Sequence, residues 1–419
     1  MTRPSETAEF HRIRRLPPYV FAEVNRLKAQ CRAEGVDVID FGMGNPDLDA
    51  PAHIVDKLVE TVRRPRTHRY SASKGIAGLR RAQAGYYARR FGVELDPETE
   101  VIATLGSKEG LANLAQAITA PGDVVLTPNP SYPIHAFGFI IAGGALRHVP
   151  ALHEGRFDPE RYLAELEHAA RHSAPAPTAL LVSFPSNPTA EVCDLDFYRE
   201  VVRLAKRHDL WVLSDLAYSE IWFETPPPSI LQVEGAKEVA VEFTSLSKTF
   251  SMPGWRMGFA VGAARLIGAL ARIKSYLDYG AFTPIQVAAA AALNGPEDCV
   301  AEIRGVYRRR RDVLVEAMGR AGWQVPSPPA TMFAWAPIPE PFRAMGSLAF
   351  SRMLLREAGV AVSPGVGFGE HGEGFVRLGL VENEQRVRQA ARGVKRLLAE
   401  AEDALSRHAE AEARAAAAE

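Results

Sequence analysis

Apolar residues follow two different spacings along this chain. Short, mainly apolar runs at 100–105, 180–184, 210–213 and 239–243 have the length and content of strands buried on both faces. Between them, positions 194–208 and 266–276 repeat apolar residues every three or four places, the spacing of an amphipathic helix. From about 46 to 285 such strands and helices alternate, which predicts right-handed βαβ units, a mainly parallel sheet and a large α/β domain. Ahead of it, Arg15-Leu16-Pro17-Pro18 is extended by its prolines and 20–30 has helical spacing, so residues 1–45 read as an arm with a short helix. Beyond it, 284–293 and 297–321 read as helices interrupted at Asn294-Gly295-Pro296, the second carrying Arg308 to Arg311 and placed to connect two domains. Residues 286–400 mix these helices with short strands (Phe333-Ala334-Trp335 and 375–380), fitting a smaller α+β domain that the arm joins. Positions 401–419, rich in alanine and glutamate, lack a core-sized apolar face and are expected to fray or stay disordered, outside the chemistry. No repeat of 20 to 50 residues interrupts this plan.

Composition narrows the function more than the fold. At 419 residues the chain can form two domains, and 47% apolar with 24% charged residues is an ordinary soluble profile. A formal net charge of −1 provides no field for nucleic acid or for an acidic membrane, so neither partner is expected. No apolar run approaches the roughly 18 residues of a membrane span. The segment MTRPSETAEFHRIRRLPPYVF has no apolar stretch of a secretory signal and carries Glu6 and Glu9, unlike a transit peptide. Cys31, Cys193 and Cys299 are odd in number and far apart, with no CxxC, which suggests neither disulfides nor zinc; the cytoplasm is the expected compartment. The histidines form no metal-binding spacing, so no metal is expected.

Candidate chemistry begins at Ser245-Leu246-Ser247-Lys248, set between apolar runs, with Arg256 eight residues on. A lysine partly buried there loses hydration of its ammonium form, which lowers its pKa and prepares it for Schiff-base chemistry. Asp215 ends an interior strand pattern, where ligands of open α/β sheets collect, with Tyr218 three residues later. The run 100–105 leads into Gly106-Ser107-Lys108 and then a helical pattern, so free backbone N–H groups and the helix dipole make a phosphate cradle; the nucleotide P-loop motif is absent. A phosphate cup, a carboxylate for a ring nitrogen, a phenol and a reactive amine are the equipment of a pyridoxal 5'-phosphate (PLP) enzyme.

The segments FGMGNPD, HRYSASKGIAGLR, TLGSKEGL, PNPSYPIH, FPSNPTA, SDLAYSEI, SLSKTFSMPGWRMGF and FVRLGLVEN occur in the order found in class I/II aminotransferases. The chain resembles that family, whose members are fold-type I PLP enzymes, from about Phe10 to about Ala399. Within it, RLPPYVF, ARIKSYLDYG and SPGVGFG are most similar to bacterial alanine (glutamate–pyruvate) aminotransferases.

The resemblance implies roles for particular residues. Lys248 carries the cofactor as a Schiff base and then, freed by substrate, moves a proton as a general base. Asp215 pairs with the pyridinium nitrogen, and Tyr218 and Asn187 donate to the cofactor's phenolic oxygen. Gly106, Ser107 and Lys108 hold the phosphate with Ser245 and Arg256, and Ser247 is a further candidate. Tyr132 takes the position of the aromatic that stacks on the cofactor ring. Arg377 grips the substrate α-carboxylate, assisted by Gly44 and Asn187. Tyr70 looks like the tyrosine that crosses a homodimer interface to the neighbour's phosphate. The expected reaction is ping-pong transamination between L-alanine and 2-oxoglutarate, giving pyruvate and L-glutamate, with small amino acids and 2-oxo acids as partners.

Other readings stay open. LL-diaminopimelate or aspartate and aromatic substrates, or a C–S β-lyase or decarboxylase reaction, use the same lysine, aspartate and tyrosine positions. Ser245-x-x-Lys248 also fits a serine β-lactamase motif, but Ser214-Asp215 is followed by Leu216 and Lys248-Thr249 by Phe250, so its companion motifs are missing. A transcription regulator with a sensor domain of this type would need a DNA-binding domain, for which the residues before the resemblance leave no room. The side-chain pocket is expected near Met43, Lys74 and Tyr279, with Lys74, from this chain or from a partner subunit, as the cation for a distal carboxylate.

Overall fold

The computed structural model describes residues 10–17 and 20–416, without the side chains of 11, 12 and 409–416; Pro18 and the last three residues therefore fall outside it. Twelve strands are present among the described residues: β1 (Ile39–Asp40), β2 (Val101–Thr104), β3 (Val124–Asn129), β4 (Ala145–Pro150), β5 (Pro177–Ser183), β6 (Trp211–Asp215), β7 (Ala240–Ser245), β8 (Gly258–Gly262), β9 (Phe333–Pro337), β10 (Val360–Ala361), β11 (Ser363–Pro364) and β12 (Phe375–Gly379). β2 to β8 form one sheet in the order β2-β8-β7-β6-β5-β3-β4, parallel except for β8, which runs against both β2 and β7. The expected mainly parallel α/β architecture is what is found. β2, β3, β7 and β8 are buried at every position, as strands are when helices cover both faces of the sheet.

Pairing register fixes the site. Because β5, β6 and β7 are parallel, Ser183 lies beside Asp215 and Asp215 beside Phe243, so all three strands deliver their carboxyl ends to one edge. β8 runs the other way and begins at that edge, its Gly258 paired with Thr104 on one side and Ser245 on the other. A Cβ on Gly258 would come within 2.6 Å of the Ser107 amide nitrogen. Glycine is required where the start of β8 passes under the next helix.

The expected helices at 194–208 and 266–276 appear as Leu195–Arg207 and Ala264–Leu277. The first is capped by the Asp194 carboxylate, which accepts from the Phe197 amide. Val239 is the last residue of a short helix, where local apolar content predicted strand, and the apolar residues Trp255 and Met257 sit in a tight turn before β8.

A second apolar core gathers β9, β12, the helix Asp298–Ala321 and the helix Glu384–Ala399. Its antiparallel sheet has the order β11-β12-β9, and β1, from the arm, pairs with β10. Arg310 on the long helix grips Asp47 through two hydrogen bonds of 2.7 and 2.8 Å, anchoring the segment that follows Gly44. Residues Ala401–Ala416 are helical, with Ala404 fully buried against this core. The start of this segment thus packs through Ala404, where a frayed or disordered segment was expected. Among the described residues, no helix is long and apolar enough to cross a membrane, and no cluster of His, Cys, Asp and Glu could hold a metal ion.

Candidate active site

The carboxyl ends of β5, β6 and β7 open into a cavity of about 450 Å³, closed on the far side by β12, Phe333 and the arm helix Val20–Ala33. Lys248 sits on the single turn Leu246–Thr249, which is capped by Ser245: its hydroxyl oxygen accepts from the Ser247 amide at 3.2 Å. The Lys248 ammonium donates to the Gly44 carbonyl at 3.1 Å and lies 5.9 Å from the Tyr218 ring centre. Burial, then the nearby guanidiniums of Arg377 and Arg256, push its pKa from the ordinary 10.5 down to about 8, with Asp215 pulling the other way. The result is an amine of which a useful fraction is neutral near physiological pH.

Asp215 is fixed by two donors. His135, fully buried, places Nε2 2.8 Å from Oδ2, and the Ala217 amide donates to Oδ1 at 3.1 Å. Burial pushes the Tyr218 phenol well above its ordinary range, so it remains a proton donor; Phe333 meets its ring edge-on at 5.6 Å.

The cup lies at the start of the helix Ser107–Ile118. Gly106 precedes it with φ +86° and no side chain caps its first turn, which leaves backbone N–H groups directed outward. A Cβ on Gly106 would meet the Arg256 guanidinium at 2.3 Å. Arg256 itself, in the left-handed region at φ +56°, donates to the carbonyls of Pro253 (2.9 Å) and Leu105 (3.2 Å). That unusual backbone turns its guanidinium back over the cup.

Arg377 projects from β12 into the opposite wall. Its Nη1 donates to Asn187 Oδ1 at 2.7 Å, and the guanidinium carbon lies 4.1 Å from the Phe333 ring centre and 4.7 Å from that of Phe368. The two rings keep the fork in one plane, the geometry that a carboxylate can accept in two parallel bonds. The bond to Arg377 also orients Asn187, leaving its Nδ2 as a donor elsewhere. A Cβ on Gly44 would come within 3.2 Å of both Arg377 Nη2 and the Phe333 ring, so a larger residue would have to displace these side chains by a few tenths of an ångström.

Of the residues singled out from sequence, Lys248, Asp215, Tyr218, Ser107, Lys108, Tyr132, Asn187, Ser245, Ser247, Arg256, Gly44, Met43 and Arg377 line this one cavity, and Gly106 adjoins it. Three do not. Tyr70 is 86% exposed on the outer surface, its ring 4.7 Å from that of the exposed Tyr279. Lys74 turns away, its ammonium donating to the Glu98 carbonyl at 3.0 Å, so within its own chain it offers no cation to the pocket. Lys108 lines the cavity, yet its ammonium lies 5.7 Å from the Tyr132 ring centre and makes no ion pair among the described residues. Sequence reasoning assigned no role to His135, although PNPSYPIH places it three residues after Tyr132, one helical turn away and on the same face. Phe21, Asn25 and Lys28, on the arm helix, and Ser363 also reach the cavity and had no distinctive local pattern.

These residues fit PLP. The uncapped helix start with its glycine-only turn suits the phosphate, Asp215 offers a held carboxylate beneath a ring-sized space flanked by Tyr132, and Lys248 offers the amine. The cavity walls carry four other cations or cation-tipped side chains against one carboxylate, matching a dianionic cofactor and a carboxylate substrate.

The family model for aminotransferase class I and II matches residues 36–394. The chain is 67% identical to AatC of Rhizobium meliloti (strain 1021) over 398 residues, covering 95% of this chain and 97% of the relative. It is 55% identical to the glutamate-pyruvate aminotransferase AlaC of Escherichia coli (strain K12) over 395 residues, 94% of each. An LL-diaminopimelate aminotransferase of Moorella thermoacetica is 43% identical over 94% of this chain and 99% of its own length. Among solved structures, substrate-bound BacF from Bacillus subtilis superposes with a TM-score of 0.86 at 34% identity, covering 93% of this chain and 98% of the other.

Proposed function

Since the chain belongs to the class I and II aminotransferases, which work with pyridoxal phosphate, we propose that it transfers the amino group between L-alanine and 2-oxoglutarate, giving pyruvate and L-glutamate. We further assign it to the cytoplasm as a homodimer, in which the exposed Tyr70 reaches the neighbouring site. Residues 46–285 then form the cofactor-binding domain, and 286–400, with the arm, the small one.

Bound PLP supplies an aldehyde that condenses with amines and a protonated ring that accepts electrons from the substrate carbon. The chain supplies the rest. Arg377 binds the α-carboxylate shared by both amino acids and so sets the direction of the Cα–H bond. Lys248 Nζ, with its lowered pKa, removes and returns the Cα proton as a general base. Asp215 keeps a negative charge under the ring nitrogen, and His135 and the Ala217 amide hold that carboxylate still. Tyr218 and Asn187 donate to the phenolic oxygen. The arm helix and the two phenylalanines exclude water from the reacting face.

The distal end decides the substrate. Alanine ends in a methyl and glutamate in a carboxylate, and both must use one pocket in alternate half-reactions. The Lys108 backbone amide stays with the phosphate cup, while its ammonium, on a flexible stem and with no ion pair among the described residues, can meet the carboxylate of glutamate and swing clear of alanine. This takes the place of Lys74. LL-diaminopimelate, the substrate named for the Moorella relative, would bring a distal ammonium as well. Among the described residues lining the cavity the sole carboxylate is Asp215, already committed to His135, and that observation carries the preference for alanine.

The test is a coupled assay of the PLP-loaded enzyme across amino-donor and 2-oxo-acid pairs. Alanine with 2-oxoglutarate is expected to give the highest kcat/KM, with equal amounts of donor consumed and glutamate formed. A preference for LL-diaminopimelate, or release of ammonia in place of amino exchange, would refute the assignment.

A further inference from the structure

Behind the phosphate cup lies a charge cluster, built around a buried lysine and two half-buried carboxylates, that the reaction does not call on directly. Lys274, in the last turn of the helix Ala264–Leu277, is fully buried. Its ammonium bridges two carboxylates, Glu109 Oε1 at 2.9 Å and Asp278 Oδ2 at 2.8 Å. Each carboxylate has its second oxygen on a backbone amide. Glu109 Oε2 accepts from Leu105 N–H at 2.8 Å, and Asp278 Oδ1 accepts from Gly280 N–H at 2.6 Å.

Leu105 is the residue immediately before the cup. Its amide is held by Glu109 and its carbonyl by Arg256, so its backbone is fixed by donor and acceptor alike. On the far side, the Asp278 carbonyl accepts from the Ser73 hydroxyl, and a Cβ on Gly280 would come within 2.2 Å of the Ala72 carbonyl oxygen. The segment 278–280 is therefore pressed against 72–73, the same strip that presents the exposed Tyr70 and Tyr279, whose rings meet at a tilt. One ammonium thus joins the turn that enters the cup to the loop that carries Tyr70.

A buried ammonium between two carboxylates is a poor way to gain stability, since apolar side chains of similar volume often do as well. What it adds is direction: fully bonded buried polar groups permit one arrangement. We propose that Lys274 is a positioning residue for the cofactor phosphate, acting through Glu109 to hold the Leu105–Ser107 turn and through Asp278 to keep the Tyr70 loop in register with it. The proposal rests on the reading that the phosphate sits at residues 106–108.

The full-length protein, freed of cofactor, is titrated spectroscopically with PLP and separately with pyridoxal, which lacks the phosphate, as wild type and as Lys274→Met. Loss of a partner one step behind a binding group weakens metal sites by 10- to 100-fold, and by that measure PLP should bind about tenfold more weakly to the variant while pyridoxal changes by less than about twofold. Unchanged PLP binding, or equal weakening of both ligands, would overturn the proposal, the latter marking a general structural role. Wild type that fails to prefer PLP over pyridoxal would overturn the cup assignment itself, and this proposal with it. Should Lys274→Met not accumulate, Asp278→Asn keeps one carboxylate on the lysine and carries the same comparison: a selective loss for PLP supports the role, and a wild-type PLP-to-pyridoxal ratio refutes it.

Discussion

Replacing Lys248 by methionine should stabilise the cofactor-free protein near neutral pH, and the gain should vanish as pH rises. The fold lowers the lysine pKa from 10.5 to about 8, chiefly by burial, with Arg377 and Arg256 adding to it. Below about 8 both folded and unfolded chains keep the proton, and the fold bears the whole cost of an enclosed ammonium. Between about 8 and 10.5 the unfolded chain holds more protons than the folded one, so wild-type stability climbs with pH. Above that range the cost is gone. At about 1.4 kcal/mol per pKa unit, the cost at pH 7 is about 3 kcal/mol. Methionine, close in length, removes the charge and also the hydrogen bond to Gly44, worth about 1 kcal/mol. A net gain of about 2 kcal/mol at pH 7 is expected, shrinking through pH 8 and 9 and lost by about pH 10. Urea titrations of both apo-proteins at equal concentration measure it, and titrating groups common to the two chains cancel in the difference. A gap that does not change with pH, or a more stable wild type at pH 7, would refute the reasoning. The same shift leaves roughly a quarter of Lys248 neutral at pH 7.5, against about one part in a thousand for an ordinary lysine. Stability is spent here on a nucleophile.

Three further outcomes are expected. Asp215→Asn should still bind PLP, since the cup and Lys248 are untouched, but lose at least about a hundredfold in turnover, because the ring nitrogen loses its anionic partner; a steady-state rate close to wild type would show that Asp215 has another task. Lys108→Ala should lower kcat/KM for glutamate and 2-oxoglutarate about tenfold, the worth of one charge-assisted hydrogen bond, while alanine and pyruvate stay within about twofold; equal losses for both pairs would remove Lys108 from the distal subsite. Light scattering should report twice the chain mass, and Tyr70→Phe should weaken PLP binding by about 1 kcal/mol; a fully active monomer would contradict both.

Much of this was legible in the chain because the chemistry sits next to strong local patterns. Asp215 and Ser245 end mainly apolar strands, Gly106 separates a strand from a helix, and Arg256 follows eight residues after Lys248. Parallel pairing then carries each of them to the same edge. His135 escaped because nothing local separates a histidine that supports a carboxylate from one that merely packs in a core; the distinction is the 2.8 Å to Asp215, 80 residues away. Lys274 and Glu109 escaped for a similar reason, since charged residues on helices usually face solvent and these two face each other. Lys74 shows the converse: four residues from Tyr70, its position in sequence suggests the pocket, but within its own chain its ammonium reaches the Glu98 carbonyl instead.

The sequence by itself determined the fold class, the alternation of strands and helices and the identity of the cofactor, because these follow from burial periodicity and from short motifs whose geometry is local. It did not determine which cations face one another across the cavity. That was decided by the reversed β8, which sets Arg256 over Gly106, by the packing of β12, which points Arg377 at Asn187, and by the burial that lowers the pKa of Lys248. Each depends on groups far apart in the chain meeting in a medium where water cannot screen them, and only the tertiary structure creates that medium.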